Sequence, residues 1–289
     1  MSVATRMVDV GPYRLNVQHA GSGPPLLLVH SLTLDSHMWR AQIDALSSRF
    51  CVHAVDLHGH GQSGGEAGAT TLEAMADDLA RLLDALGIDR VGYCGLSIGG
   101  MLGMRLALQH PNRVAALALM NTTAEPELPT KRMLFEHLNQ VTLNRPADDK
   151  TVRIVLDLML SPAFQASHPE VTQRVYDTLF IPNNEGMYWV AKAVFAREDI
   201  RDAIATLDVP TVVVTSDVDT AIPTEFAVHV AEAIPGARLV TYEGSGHLTA
   251  VERADEVNAL LDSFFGDHLQ ADLPPGRDKG GDNRTQGAL

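Results

Sequence analysis

The stretch Arg90–Gly100, RVGYCGLSIGG, decides how this chain is read. Val91 to Cys94 is a short apolar run of strand character, and Ile98 to His110, IGGMLGMRLALQH, carries a helical pattern. Between them stands Gly95-Leu96-Ser97-Ile98-Gly99, a G-x-S-x-G pattern. A serine at a sharp strand-to-helix turn is held in a strained conformation with its hydroxyl exposed, and flanking glycines let neighbouring backbone approach closely. The new helix also points its positive end at the turn. The five-residue pattern alone occurs by chance. The strand before it and the helix after it make Ser97 the candidate nucleophile.

Outward from this turn, apolar runs and amphipathic stretches alternate. Leu26–Val29, Cys51–Val55, Ala115–Met120, Thr211–Thr215 and Leu239–Tyr242 read as buried strands, and several are nearly continuous apolar runs. Thr71–Leu86, Ile98–His110, Thr224–Ile234 and Ala254–Phe265 read as helices, with Gly87 placed to cap the first. Such alternation predicts an α/β fold with a doubly wound, mostly parallel sheet. Tyr13–His19 alternates apolar and polar residues, as in an antiparallel edge hairpin. From Thr122 to Leu207 the rhythm breaks into helices punctuated by Pro126, Pro129, Pro146, Pro162, Pro169 and Pro182. The expected division is a sheet core at 1–121 and 208–265, an inserted helical cap at 122–207, and a disordered tail at 266–289, rich in Pro, Gly and Asp. A helical hairpin packed at the sheet edge, covering no site, is the alternative to a cap.

With the elbow in this context, the chain resembles the α/β-hydrolase superfamily from about Tyr13 to Phe265. Two further motifs stand in the order that the resemblance requires. Leu26–Trp39, LLLVHSLTLDSHMW, resembles the His-Gly loop after the third strand, and Ala54–Ser63, AVDLHGHGQS, resembles the D-x-R-G-x-G-x-S turn. Ser31 stands where glycine is usual, and His58 where arginine is usual. The resemblance implies an oxyanion hole made of the backbone N–H groups of Ile98 and Leu32. It also implies that His30 shapes its loop and is not the base.

Twelve histidines leave the base to be chosen by context. His247 lies in TYEGSGHLTAVERADEV, a strand followed by a Gly-rich turn and a helix, which matches the family's loop after the last strand. His19, His53, His110, His137, His168, His229 and His268 have no such context, and His58 and His60 read as structural. TVVVTSDVDTAIP offers two acids, Asp217 and Asp219. Asp219 sits four residues before Pro223, the spacing of the family's G-x-x-D-x-x-x-P pattern, with Ser216 replacing the glycine. The alternative acid position, after the sixth strand, holds Asn121 and Thr122. The expected catalytic residues are therefore Ser97, Asp219 and His247, in the chain order that the fold demands.

The formal charge of −14 argues against a nucleic-acid partner, and no apolar run approaches the ~18 residues of a membrane span. Met1–Val10 has no apolar region followed by a small-residue cleavage pattern, so no secretory signal is expected. Cys51 and Cys94 lie in strand-like runs and are expected as free core thiols in a reducing cytoplasm. No spacing suggests a metal or cofactor, and none is expected. The implied reaction is acyl transfer on a small ester or lactone. HSLTLDSHMWRAQIDALSSRF, YCGLSIGGMLGMRLALQHPNRV and, within the cap, SPAFQASHPEV are similar to 3-oxoadipate enol-lactonases, whose substrate would be a small carboxylated enol-lactone. A broad carboxylesterase, a carbon–carbon bond hydrolase of ring-cleavage products and a catalytically silent binding protein are the rivals. No aspartate stands at the nucleophile position, so dehalogenase and epoxide-hydrolase chemistry is not expected. A carboxylated substrate needs a local cation, and the cap carries Lys and Arg within a net charge of −3. Met187 and Trp189, in EGMYWVAKAVF, are expected to line the substrate pocket, with core packing as the equal alternative.

Overall fold

The computed structural model describes residues 3–11, 13–65, 68–145, 147–179 and 184–269. Eight strands form one sheet: β1 (Ala4–Asp9), β2 (Arg14–Ala20), β3 (Pro25–Val29), β4 (Cys51–Val55), β5 (Val91–Leu96), β6 (Val114–Met120), β7 (Thr211–Ser216) and β8 (Arg238–Tyr242). The order across the sheet is β1-β2-β4-β3-β5-β6-β7-β8. β1 pairs antiparallel with β2, and β2 antiparallel with β4. Every other pairing is parallel. The expected edge hairpin is therefore β1 with β2. Every residue of β5, β6 and β7 is buried, as continuous apolar runs require when helices cover both faces. The edge strands β1 and β8 are largely exposed.

Alternation along the strands sorts the core into two layers. Leu27, Val29, Tyr93, Leu117, Leu119 and Val213 face one side, under α2 (Leu72–Leu86) and α3 (Ile98–Gln109). Leu26, Leu28, Leu96, Ala118, Val212 and Val214 face the other. There they meet Ile43 and Leu46, from α1 (Arg40–Leu46), and Val257, Leu261 and Phe265, from a helix at Ala254–Leu269. α2 begins where Thr71 Oγ1 accepts the Ala74 N–H at 3.1 Å. It ends at Gly87, whose φ of +70° lets its N–H turn back to the Asp84 carbonyl. The last helix runs past the expected boundary at 265, through Gly266 to Leu269. The remainder of the expected tail lies outside the described residues.

Between β6 and β7 the described residues form α4 (Pro129–Thr142), α5 (Asp149–Met159), α6 (Pro162–Ser167), α7 (Pro169–Leu179), α8 (Glu185–Phe195) and α9 (Arg201–Ile204), with no sheet strand among them. Pro129, Pro162 and Pro169 each open a helix, where a missing N–H costs nothing. Pro146 and Pro182 lie outside the described residues. Three further helices follow: α10 (Thr224–Ala233), α11 (Thr249–Glu252) and α12 (Ala254–Leu269). All the loops considered below leave the carboxyl ends of parallel strands, where open α/β sheets bind ligands.

Candidate active site

Ser97 stands between β5 and α3 with φ +57° and ψ −115°, a conformation that L-residues seldom adopt. Strain of this kind costs roughly 1–3 kcal/mol and persists only where the surroundings enforce it. The enforcement is visible here. The Ser97 N–H donates to the Met120 carbonyl at 2.9 Å, and its own carbonyl accepts Thr122 Oγ1 at 2.7 Å. A Cβ at Gly95 would lie 2.3 Å from the Gly99 carbonyl, and one at Gly99 would lie 2.2 Å from the Val29 carbonyl. The glycines of the G-x-S-x-G pattern are thus set by backbone meeting backbone. Tyr93 Oη, donating to the Gly99 carbonyl at 2.6 Å, holds the first turn of α3 in place.

Asp219 lies in the loop after β7 and is 5% exposed; His247 lies in the loop after β8 and is 1% exposed. His247 Nδ1 is 2.8 Å from Asp219 Oδ2. An ionised carboxylate only accepts, so Nδ1 carries the proton and Nε2 is left to accept one. Oδ1 of Asp219 accepts the N–H groups of Ala221 and Ile222, both at 2.9 Å, and Oδ2 also accepts Asn121 Nδ2 at 3.0 Å. Asp217 does different work: its Oδ1 accepts the Gly244 N–H at 2.7 Å and joins the two loops. Ser216 Oγ donates to the Gly246 carbonyl at 2.7 Å and accepts from Asn121 at 3.0 Å. The serine that replaces the usual glycine thus fastens the histidine loop to β7.

The His30-Ser31-Leu32-Thr33 loop leaves β3 beside the elbow. Its left-handed residue is Thr33, with φ +66°, so Ser31 fits where glycine is usual. His30 Nδ1 is 2.7 Å from the Ser31 carbonyl, and its Nε2 accepts the Leu57 N–H at 2.9 Å. Burial, opposed by the Ser31 carbonyl and by Asp56 and Asp35, lowers its pKa. With both nitrogens engaged, His30 shapes the loop, as expected. Asp56, in the neighbouring turn, accepts the N–H groups of Ser36 at 2.8 Å and Gln62 at 2.9 Å, and Asn16 Nδ2 at 2.9 Å. Burial alone would raise its pKa; the Gln62 and Ser36 donors and His30 hold it below the usual carboxylate range. His60 lies close by, its ring centroid 5.0 Å from that of His30. Burial, foremost, and His30 pull its pKa down to about 3. His58, in the position usual for arginine, stacks on Tyr13 at 4.1 Å.

Ser31, Leu32, Thr33, Ser97 and His247 line one cavity of about 180 Å³. Helices α4, α5 and α8 supply most of the remaining wall, including Phe135, Leu138, Val152, Val155, Met159, Ala191, Val194 and Phe195. Residues of the insertion thus line the same cavity as Ser97 and His247. Arg197 is the one lysine or arginine among the described lining residues. Its Nη1 lies 3.0 Å from Glu127 Oε2, with both side chains largely buried. Burial depresses the Arg197 pKa, and Glu127 opposes that. Met187 and Trp189 do not line the cavity. Met187 is buried against the Gly59 turn, where a Cβ at Gly59 would lie 2.2 Å from the Met187 nitrogen. Trp189 packs edge-on against Tyr188, with Lys192 Nζ 5.7 Å from its ring.

Sequence reasoning missed three groups at this site: Asn121 as a partner of Asp219, Ser216 as a clamp, and the Arg197–Glu127 pair. Asn121 had a signal, a polar residue closing the apolar run of β6 at the fold's alternative acid position. Among the described residues, no helix is long and apolar enough to cross a membrane.

Comparison with known proteins agrees with this architecture. Residues 24–254 match the family model described as the alpha/beta hydrolase fold. A protein of Azorhizobium caulinodans that bears the name of a carbamate hydrolase, RutD, is 30% identical over 249 residues, 86% of this chain and 93% of its own. The 3-oxoadipate enol-lactonase 1 of Acinetobacter baylyi is 28% identical over 207 residues, 71% of this chain and 76% of its own. The crystal structure of the enol-lactonase from Burkholderia xenovorans LB400 superposes with a TM-score of 0.84 at 29% identity, over 90% of this chain and all of that one. With a sheet of this order, an elbow at Ser97 and a family match that runs from β3 into α12, the chain belongs to the α/β-hydrolase family.

Proposed function

We propose that this protein is a serine hydrolase of small carboxylic esters or lactones, with Ser97 as nucleophile, His247 as base and Asp219 as its acid partner. The observation that carries the reading is the 2.8 Å contact between His247 Nδ1 and Asp219 Oδ2, made where the imidazole shares a cavity with Ser97. His247 Nε2 takes the Ser97 proton as the hydroxyl oxygen attacks the carbonyl carbon. Asp219, with Asn121 and two backbone N–H groups behind it, holds the tautomer and stabilises the imidazolium. The oxyanion is assigned to the N–H groups of Leu32 and Ile98. Each such donor is worth about 10²–10³ in kcat. His247 then protonates the leaving oxygen and activates water against the acyl-enzyme. The inserted helices act as a cap that excludes water and grips the acyl part.

The cavity wall supports an apolar acyl or alkyl group, because the one guanidinium among its described residues is already paired with Glu127. A second reading keeps the carboxylated enol-lactone, whose carboxylate would take Arg197; the relatives named as enol-lactonases support it. The test is a kcat/KM panel of neutral p-nitrophenyl esters, simple lactones and a carboxylated enol-lactone, with Ser97→Ala in parallel. A fluorophosphonate should label Ser97, and Ser97→Ala should lower kcat by several orders of magnitude with an unchanged melting curve. Retention of most activity in Ser97→Ala would overturn the assignment.

A further inference from the structure

At the other end of the sheet, three side chains of β2 and β4 stand together, and the reaction above uses none of them. His19 of β2 is the directly paired neighbour of His53 of β4. Cys51 lies two residues before His53, on the same face of the strand. Cys51 Sγ is 3.3 Å from His53 Nε2 and 3.7 Å from His19 Nδ1, and the two rings stack with centroids 4.9 Å apart. The three donor atoms all lie within 4.8 Å of one another. Among the described residues, no other trio of His, Cys, Asp or Glu groups meets that condition.

We propose that His19, Cys51 and His53 bind a transition-metal dication, zinc foremost, through one thiolate and two imidazoles. A tetrahedral zinc with its usual bond lengths separates thiolate sulfur from imidazole nitrogen by about 3.6 Å, and the two observed separations bracket that value. A thiol has one proton, so it can donate to only one of the two nitrogens beside it. A cation accepts a lone pair from all three atoms at once. Softness also fits, since sulfur with imidazole selects zinc, cobalt or copper over magnesium or calcium. His53 is buried, whereas Cys51 and His19 are partly exposed, which leaves water access to a fourth position. Binding replaces the Cys51 S–H bond with a sulfur–metal bond and releases the proton to solvent, with no change of oxidation state. Cys51 starts β4, at the end remote from Asp56 and the catalytic loops, so the metal would pin the β1–β2 hairpin to the parallel sheet and take no part in turnover.

The test is titration of the metal-free full-length chain with Co²⁺. One equivalent should give a thiolate-to-cobalt charge-transfer band with d–d bands of tetrahedral intensity, and Zn²⁺ should displace both. Cys51→Ser should abolish the charge-transfer band, His19→Asn should weaken Co²⁺ binding roughly tenfold or more, and Cys94→Ala should leave both intact. Zn²⁺ should raise the Tm of the natural chain and not that of Cys51→Ser. Absence of a thiolate band at saturating Co²⁺, or a band that survives Cys51→Ser, overturns the proposal.

Discussion

Replacing Asp219 with asparagine strikes the reading at its most constrained point. Two backbone N–H groups, those of Ala221 and Ile222, need an acceptor at Oδ1, and a backbone N–H can only donate. The amide oxygen of an asparagine must take that place, which puts its NH₂ where Oδ2 was. That NH₂ then faces two donors, Asn121 Nδ2 and His247 Nδ1. Asn121 can turn its amide to offer its unpartnered buried Oδ1, but only by giving up its donation to Ser216 Oγ. The imidazole escapes only by moving its proton from Nδ1 to Nε2. An Nε2 that holds a proton cannot take one from Ser97. In serine hydrolases this exchange of acid for amide costs about 10⁴ in kcat, or about 5.4 kcal/mol at 1.36 kcal/mol per decade. The same loss is expected for Asp219→Asn, while the shape and two of the four hydrogen bonds persist and the fold survives. The assay is kcat for p-nitrophenyl butyrate at pH 7, with thermal melts of both proteins. A loss under about tenfold, with the melt unchanged, would refute the tautomer argument and the base role of His247 with it.

Three other outcomes follow from particular contacts. Gly99→Ala drives a Cβ to 2.2 Å from the Val29 carbonyl and should abolish soluble expression. Gly236→Ala, where φ is +72° but nothing lies within 4 Å, should cost only about 1–2 kcal/mol in urea melts; equal effects would refute the packing account. Glu127→Gln frees the Arg197 guanidinium from its carboxylate. It should lower Tm and raise kcat/KM for a carboxylated p-nitrophenyl ester about tenfold relative to a neutral ester of the same length; an unchanged ratio means that Arg197 does not meet the acyl group. His60 should cost stability in acid. Its folded pKa of about 3 lies below its unfolded value of 6.5, so the unfolded chain binds the proton first. The contribution is intact above pH 6.5 and is lost as pH falls from there towards 3, by about 2 kcal/mol between pH 7.5 and 5. Urea midpoints of the natural chain and His60→Gln at both pH values should show a smaller acid loss in the variant.

What could be read from sequence was local. The elbow is one continuous stretch, and its glycines signal a backbone crowding that the Val29 and Gly99 carbonyls make literal. The resemblance to the family's acid-to-proline pattern favoured Asp219 over Asp217, and the two acids hold different partners. The pocket wall was less legible, because a helix does not announce which of its turns meets a ligand. Met187 shares a helical face with Ala191 and Val194, yet its turn of α8 lies over Gly59, one turn short of the cavity. Trp189 is on the opposite face. The His19–Cys51–His53 cluster was invisible for another reason. It depends on the register between β2 and β4, and a slip of one residue would send His19 to the other face.

The insertion also holds the loops that carry Asp219 and His247. Glu252, just after the histidine loop, accepts the Ser161 N–H at 2.8 Å and the Ser161 hydroxyl at 2.6 Å, at the junction of α5 and α6. The Leu248 N–H donates to the Met159 carbonyl at 2.9 Å, directly after His247. Gly246 presses so closely on Ser161 that a Cβ would lie 2.7 Å from its nitrogen. On the acid side, Lys131 Nζ reaches the carbonyls of Thr220 and Ala221, both at 3.2 Å, next to Asp219. The helices that form the cavity wall thus also fix the backbone on either side of the His247–Asp219 contact. Positioning error of even an ångström is costly in acyl transfer. Exchanging the insertion for another would therefore change the selecting wall and loosen the proton-transfer geometry together, unless the contacts at Ser161, Met159 and Lys131 were rebuilt with it.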